Sequence, residues 1–124
     1  MPGSPKAIEG EKSWRELEAL GIVEKVPPDK PIVWSSALHL QPKSSGGLRP
    51  CGDYRSLNAK TQLDTYSLPN IRYFANHIKG AKYFAKLDLF KAFHSLDIDE
   101  RDQMKTCILT PWGPYIFKKL SIGL

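Results

Sequence analysis

Proline and glycine cut this chain into short pieces. Pro27-Pro28-Asp29-Lys30-Pro31, Pro42-Lys43-Ser44-Ser45-Gly46-Gly47 and Pro111-Trp112-Gly113-Pro114 each stop a helix and force extended or turning backbone. Ten prolines and nine glycines in 124 residues leave no stretch for the long helices of a bundle. The sequence therefore predicts a mixed α+β chain rich in turns. Its length suits one domain or part of one, at about 100–200 residues per domain. A hydrophobic share of 41% and a charged share of 25% are those of a globular chain, not a disordered tail. No apolar run approaches the roughly 18 residues a bilayer span needs. The opening Met1-Pro2-Gly3-Ser4-Pro5-Lys6 lacks the apolar core of a secretory signal. The expectation is an intracellular protein with reduced thiols and no membrane partner.

Between the breakers the pattern gives short elements. Residues 1–11 read as a flexible N-terminal segment. Trp14, Leu17 and Leu20 share one helical face, with Ser13 as cap, Glu16 three residues on and Gly21 as stop, which predicts a helix over about 12–20. Residues 37–41 and 48–52 read as the two strands of a hairpin with a basic tip. A compact turn follows at 53–58. Asn70 to Gly80 carries Ile71, Phe74, Ala75 and Ile78 on one helical face. Residues 83–89 alternate enough for a strand with Tyr83, Ala85, Leu87 and Leu89 toward a core. Residues 97–102 form an acidic turn able to open a short helix, and residues 105–110 and 115–120 form a last pair of strands.

The net charge is +5, spread along the chain without blocks of one sign. Such an excess is compatible with a polyanionic partner and does not by itself show one. Cys51 and Cys107, and His39, His77 and His94, are scattered rather than paired, which argues against a zinc site. Two constellations could carry chemistry. Asp88 lies among apolar strand residues, where a carboxylate either binds a cation such as Mg²⁺, caps the next turn or pairs with a lysine. Lys43, Arg49 and Arg55 sit within a dozen residues of the hairpin tip. They either hold phosphates, Arg by its fork and Lys as a point charge, or form a solvated surface.

Several stretches, taken in order, resemble one family. Gly47-Leu48-Arg49-Pro50-Cys51-Gly52-Asp53-Tyr54-Arg55-Ser56-Leu57-Asn58 is similar to the G-x-W-R-x-C-x-D-Y-R-x-L-N stretch of reverse transcriptases from long-terminal-repeat retrotransposons. Tyr66-Ser67-Leu68-Pro69-Asn70-Ile71 resembles their Y-P-L-P-x-I. Gly80-Ala81-Lys82-Tyr83-Phe84-Ala85-Lys86-Leu87-Asp88-Leu89 resembles G-A-K-Y-F-S-K-L-D-L, and Ala92-Phe93-His94-Ser95-Leu96 resembles G-Y-H-Q-I. Upstream, Leu20-Gly21-Ile22-Val23 is similar to L-G-I-I. The likeness covers roughly residues 14–124.

The resemblance implies an α+β fold: the fingers subdomain (residues 12–80) and an incomplete palm (residues 81–124) of a right-hand polymerase, with antiparallel strands and flanking helices. It implies RNA-directed DNA polymerase chemistry, in which two Mg²⁺ ions align a primer 3′-hydroxyl with the α-phosphate of a dNTP. Asp88 matches the first catalytic aspartate, and the carbonyl of Leu89 would help hold a metal. Arg49 matches the arginine on the nucleotide phosphates, and Lys43 lies near its companion lysine. Phe93 stands at the position whose ring excludes a ribose 2′-hydroxyl. The implied partners are an RNA or DNA template with primer, a dNTP, and the remainder of a Pol polyprotein.

Departures matter as much. The family supplies two further carboxylates from a Y-x-D-D turn, and Leu120-Ser121-Ile122-Gly123-Leu124, similar to its M-P-F-G-L, ends the sequence ahead of it. Asp97, Asp99, Glu100 and Asp102 match a surface turn and do not replace those carboxylates. Ile122 stands for a usual Phe and Leu48 for a usual Trp. Lys91 puts a cation three residues after Asp88, where it would compete with metal if it reached that carboxylate. The expectation is a reverse transcriptase fragment inactive alone, with a non-catalytic basic nucleic-acid or nucleotide-binding remnant as the alternative.

Overall fold

Ser4 and Pro5 start the first helix. The Ser4 side chain accepts a hydrogen bond from the Ala7 N–H at 3.2 Å, and Pro5 fills a first-turn position where its missing N–H costs nothing. In the computed structural model, which describes residues 3–124, helix α1 therefore runs over Pro5–Ala19. This corrects the expectation of a flexible segment over 1–11 and of a cap at Ser13; Met1 and Pro2 lie outside the described residues. Ser13 instead sits inside the helix and donates to the Leu48 carbonyl at 3.3 Å. Gly10 is buried, and a Cβ there would come within 2.6 Å of Leu40 Cδ1, so the glycine lets the helix lie close to the sheet. The helix ends in a Schellman motif: Ile22 N–H bonds the Leu17 carbonyl, Gly21 N–H bonds that of Glu18, and Gly21 takes φ 70°.

The remaining elements are β1 (Val23–Lys25), β2 (Ser36–Pro42), β3 (Leu48–Gly52), α2 (Arg55–Asn58), α3 (Ile71–Ile78), α4 (Glu100–Gln103), β4 (Ile108–Thr110) and β5 (Gly113–Phe117). Tight 3₁₀ turns occupy Ala92–Ser95 and Met104–Thr106. The strands form one sheet in the order β1-β5-β4-β2-β3. The hairpin β2–β3 pairs Gln41 with Arg49 and His39 with Cys51. Its loop closes through the Lys43 N–H on the Gly47 carbonyl. The pairing of β2 with β4 is parallel, Ser36 opposite Ile108, and the other pairs are antiparallel. The α+β class stands, with a mixed sheet. That sheet draws strands from both sides of residue 80.

One face of the sheet carries the core. Trp14 of α1 is fully buried against Tyr115 and Phe117, edge to face, at 5.5 and 5.9 Å between ring centroids. Tyr54, Leu57, Ile108, Val23 and Ile22 complete the cluster. Ile116, alternating with its neighbours, faces the other way onto Val26 and Cys107. Tyr54 is buried and its hydroxyl donates to the Thr106 carbonyl at 2.9 Å.

Residues 83–89 form no strand. Their side chains are exposed, Tyr83 at 93% and Leu87 at 91%. Alternation supplies a face but not a ladder, and no strand among the described residues pairs with this stretch. Helix α3 is capped by Asn70, whose side chain accepts from the Arg72 N–H at 2.9 Å, and its apolar Ile71 and Phe74 are likewise exposed. No helix among the described residues is long and apolar enough to cross a membrane.

Candidate functional site

Three of the candidate site residues, Lys43, Arg49 and Phe93, line one cavity of about 480 Å³. The β2–β3 hairpin brings Lys43, at the start of its turn, and Arg49, exposed on β3 between buried Leu48 and half-buried Pro50. Helix α1 supplies a wall through Ser13, Glu16 and Leu17, continued by its C-cap Leu20. Phe93, on the Ala92–Ser95 turn, and Ser121 and Ile122 also line it. Ile122 thus lines the pocket where the resemblance expects a larger aromatic ring, and Leu48, the first residue of β3, is buried where a Trp is expected.

The turn that delivers Phe93 depends on Lys91. This residue takes φ 46° and ψ 50°, the only positive φ of a non-glycine among the described residues. Its carbonyl accepts the His94 N–H at 2.9 Å and starts the turn. Phe93 and His94 are half-buried, and their rings meet edge to face at 4.4 Å. Burial, and then the Lys91 charge, lower the His94 pKa below its ordinary value. The imidazole is therefore neutral at pH 7. Lys91 itself lies with Nζ 5.2 Å from the Phe90 ring centroid, not in an ion pair with Asp88.

Asp88 and Leu89 do not line this cavity. Both are exposed, on the segment that lacks a ladder. No group of three or more His, Cys, Asp or Glu residues suited to a metal occurs among the described residues. Asp88 and the Leu89 carbonyl are oxygen donors of the kind Mg²⁺ prefers, but one carboxylate cannot fix a pair of such ions. The residues present therefore do not fit a two-metal centre by themselves.

Arg55 does not join the cavity either. It is held by Asp53 through two parallel bonds, Nε to Oδ1 at 2.8 Å and Nη2 to Oδ2 at 2.6 Å. That fork holds the Asp53 carboxyl well below the usual carboxylate range, with His39 adding a smaller pull in the same direction. A guanidinium so occupied is not free for phosphate. Sequence reading missed Lys91, His94 and Glu16 as cavity residues. The one available signal was the lysine standing just ahead of the Ala92-Phe93-His94 stretch. A larger cavity of about 570 Å³, between Trp34, Leu57, Lys60, Ile98 and Lys105, holds none of the expected site residues. The one carboxylate lining it, Asp102, is already paired with Lys105 at 2.5 Å.

Comparison with known proteins matches residues 41–123 to the family described as Reverse transcriptase (RNA-dependent DNA polymerase). The chain is 35% identical over 118 residues to the retrovirus-related Pol polyprotein from transposon opus and 32% identical over 120 residues to that from transposon 297, both of Drosophila melanogaster. Each match covers 94% of this chain but only 12% and 11% of the polyproteins, so the chain spans about an eighth of their length or less. Among solved structures, the prototype foamy virus protease-reverse transcriptase superposes with a TM-score of 0.74 at 21% identity, over 100% of this chain and 16% of that one. The foamy viral protease-reverse transcriptase in complex with dsDNA gives 0.73 at 18% identity, over 98% and 25%.

Proposed function

Because the chain belongs to the reverse transcriptase family, we propose that its cavity receives the incoming deoxynucleoside triphosphate of an RNA-directed DNA polymerase. The observation that carries this reading is the convergence of Lys43, Arg49 and Phe93, from separate parts of the sequence, on one cavity. Arg49 presents a planar fork of donors that matches two phosphate oxygens at once, and Lys43 adds a mobile point charge. Phe93 gives a flat apolar ring on which the sugar rests, leaving no space for a 2′-hydroxyl. His94, neutral beside it, adds no charge against the base.

Asp88 is the one carboxylate of the metal centre that this sequence carries. The Mg²⁺ ions of the family align primer and triphosphate, and holding them takes carboxylates beyond those present here. The account therefore expects the 124-residue chain to bind nucleotide and not to extend a primer. Strong Asp88-dependent synthesis on an RNA template would overturn that part. Primer and template are the expected nucleic-acid partners, in keeping with the foamy viral relative solved with dsDNA. The exposed apolar residues from Leu63 to Phe90, among them Tyr66, Leu68, Ile71, Phe74 and Leu87, are proposed to pack on further palm structure of a Pol polyprotein. Two free thiols, Cys51 and Cys107, suit an intracellular setting.

The test compares dCTP with CTP, which differ at the 2′ position alone, by calorimetric titration of the wild type and Phe93→Ala. The wild type is expected to prefer dCTP, and the variant to lose roughly tenfold of that preference, about 1.4 kcal/mol. Equal binding of both nucleotides by the wild type would refute the assignment of Phe93. A non-catalytic binding module remains the second reading, favoured by the lack of clustered carboxylates among the described residues.

A further inference from the structure

We infer that Asn58 is a positioning residue: from outside the cavity it anchors the strap of residues 120–124, and so sets where Ile122 stands in the cavity wall. The inference rests on the nucleotide-binding reading and adds to it a residue that touches no ligand.

The strap has a hollow on either side. Ser121 and Ile122 line the cavity that holds Arg49 and Phe93, whereas Leu120 and Leu124 line the larger one. A segment between two cavities has few packed neighbours, and every missing neighbour forfeits contact energy. Its place is therefore set by its tethers. At one end the Leu120 N–H donates to the Leu96 carbonyl at 2.8 Å, and Ser121 beside it is buried. Beyond Ser121 the backbone turns through Gly123 at φ 88°. Within the strap that turn is closed by one long bond, from the Leu124 N–H to the Ser121 carbonyl at 3.3 Å.

The firmer tether comes from 65 residues earlier in the chain. The Asn58 side-chain amide donates to the Gly123 carbonyl at 2.6 Å. Asn58 is the last residue of α2, and that helix is rooted in the core by buried Tyr54 and Leu57. Its own N–H bonds the Tyr54 carbonyl at 2.8 Å, so the backbone of α2 closes without the side chain. That side chain is exposed, lines neither cavity and makes no other hydrogen bond among the described residues. What the amide fixes is the Gly123 peptide, next to Ile122. Ile122 carries no polar group, so it meets the sugar or base of a nucleotide and not its phosphates. Lys43 and Arg49, which meet the phosphates, are carried by the β2–β3 hairpin and not by the strap. Releasing the strap should therefore weaken one part of the ligand's grip and spare the other.

The experiment titrates the 124-residue chain with dCTP and with inorganic tripolyphosphate at fixed ionic strength. Wild type is compared with Asn58→Ala, Gly123→Ala, the double variant, and Asn76→Ala, which removes an exposed amide on α3. Gly123→Ala disturbs the same turn from its other partner, because an L side chain is strained at that φ. Asn58→Ala is expected to weaken dCTP about fivefold, the worth of about one hydrogen bond, and to leave tripolyphosphate unmoved. The double variant should lose no more than about twofold beyond the weaker-binding single one, since both act on one turn. In the free protein the Ile122 methyl signals should shift in Asn58→Ala and Gly123→Ala and stay in place in Asn76→Ala, with the urea midpoint of Asn58→Ala unchanged. Equal losses of dCTP and tripolyphosphate, fully additive losses in the double variant, or Ile122 signals that do not move would each overturn the inference. The two readings fail separately. If the wild type binds no dCTP, the nucleotide reading falls, and the Ile122 signals still decide whether Asn58 anchors the strap. If the wild type binds dCTP and Asn58→Ala is silent, the nucleotide reading stands and the role of Asn58 falls.

Discussion

Replacing Trp14 with alanine is expected to cost this chain a large part of its stability and, with it, the cavity. The indole is fully buried and meets Tyr115 at 86° and Phe117 at 88°, with Trp112 a further ring 6.5 Å away. Truncating a buried large aromatic to alanine costs about 3–5 kcal/mol through lost transfer energy and the cavity left behind. Each edge-to-face pair contributes about 0.5–1.5 kcal/mol beyond area, so the upper half of that range applies. A chain of this length has roughly 6–18 kcal/mol in all, at about 0.05–0.15 kcal/mol per residue. Urea unfolding followed by far-ultraviolet circular dichroism should show the midpoint falling by roughly 2 M, taking a slope of about 2 kcal/mol per molar. Trp14→Phe is expected to lose less than half as much. It keeps a ring in place and removes an indole N–H that is buried without a hydrogen-bond partner. Because Ser13, Glu16 and Leu17 on the same helix wall the cavity, dCTP affinity should fall in step with stability for Trp14→Ala. A midpoint shift under about 0.5 M would refute the claim that this ring seats α1 on the sheet.

Two further outcomes follow from single groups. Tyr54→Phe removes the hydroxyl that donates to the Thr106 carbonyl and leaves that buried acceptor unpaired, so it should cost about 1–3 kcal/mol in the same urea assay, while Tyr66→Phe, on an exposed ring, costs almost nothing. The His94 pKa is lowered in the folded chain, so the stability it contributes is present above the ordinary value of about 6.5 and is lost as pH falls through the lower folded value; His94→Gln should flatten the drop in unfolding midpoint below about pH 6.5, and an unchanged pH profile would contradict its burial.

The hairpin was legible in the sequence because its signals are local. Apolar residues flank a Pro-to-Gly turn, and β2 and β3 fall where that pattern puts them. Helix α3 and the acidic turn opening α4 were legible for the same reason, each with a side-chain cap at its start. The start of α1 was not. Ser4, Pro5 and Gly10 look like loop residues one by one, and only contact with Leu40 shows why a glycine belongs inside that helix. The parallel pairing of Ser36 with Ile108 leaves no local trace, since it depends on a return of the chain from far downstream. Residues 83–89 show the converse: alternation was present, and the pairing that turns alternation into a strand was not. At the site, the resemblance implies phosphate contacts for Lys43 and Arg49 and a sugar contact for Phe93; these three line one cavity, while Asp88 and Leu89 lie outside it. Arg55 was lost to Asp53, two residues away, a pairing that counting cations along the chain does not reveal.

The most direct test of the account is an amide chemical-shift titration of the isotope-labelled chain with dCTP. The account predicts shifts concentrated at Lys43, Arg49, Lys91, Phe93 and Ser121, with Trp34, Leu57 and Lys105 of the larger cavity unmoved. Shifts at the larger cavity, with Arg49 and Phe93 silent, would contradict it.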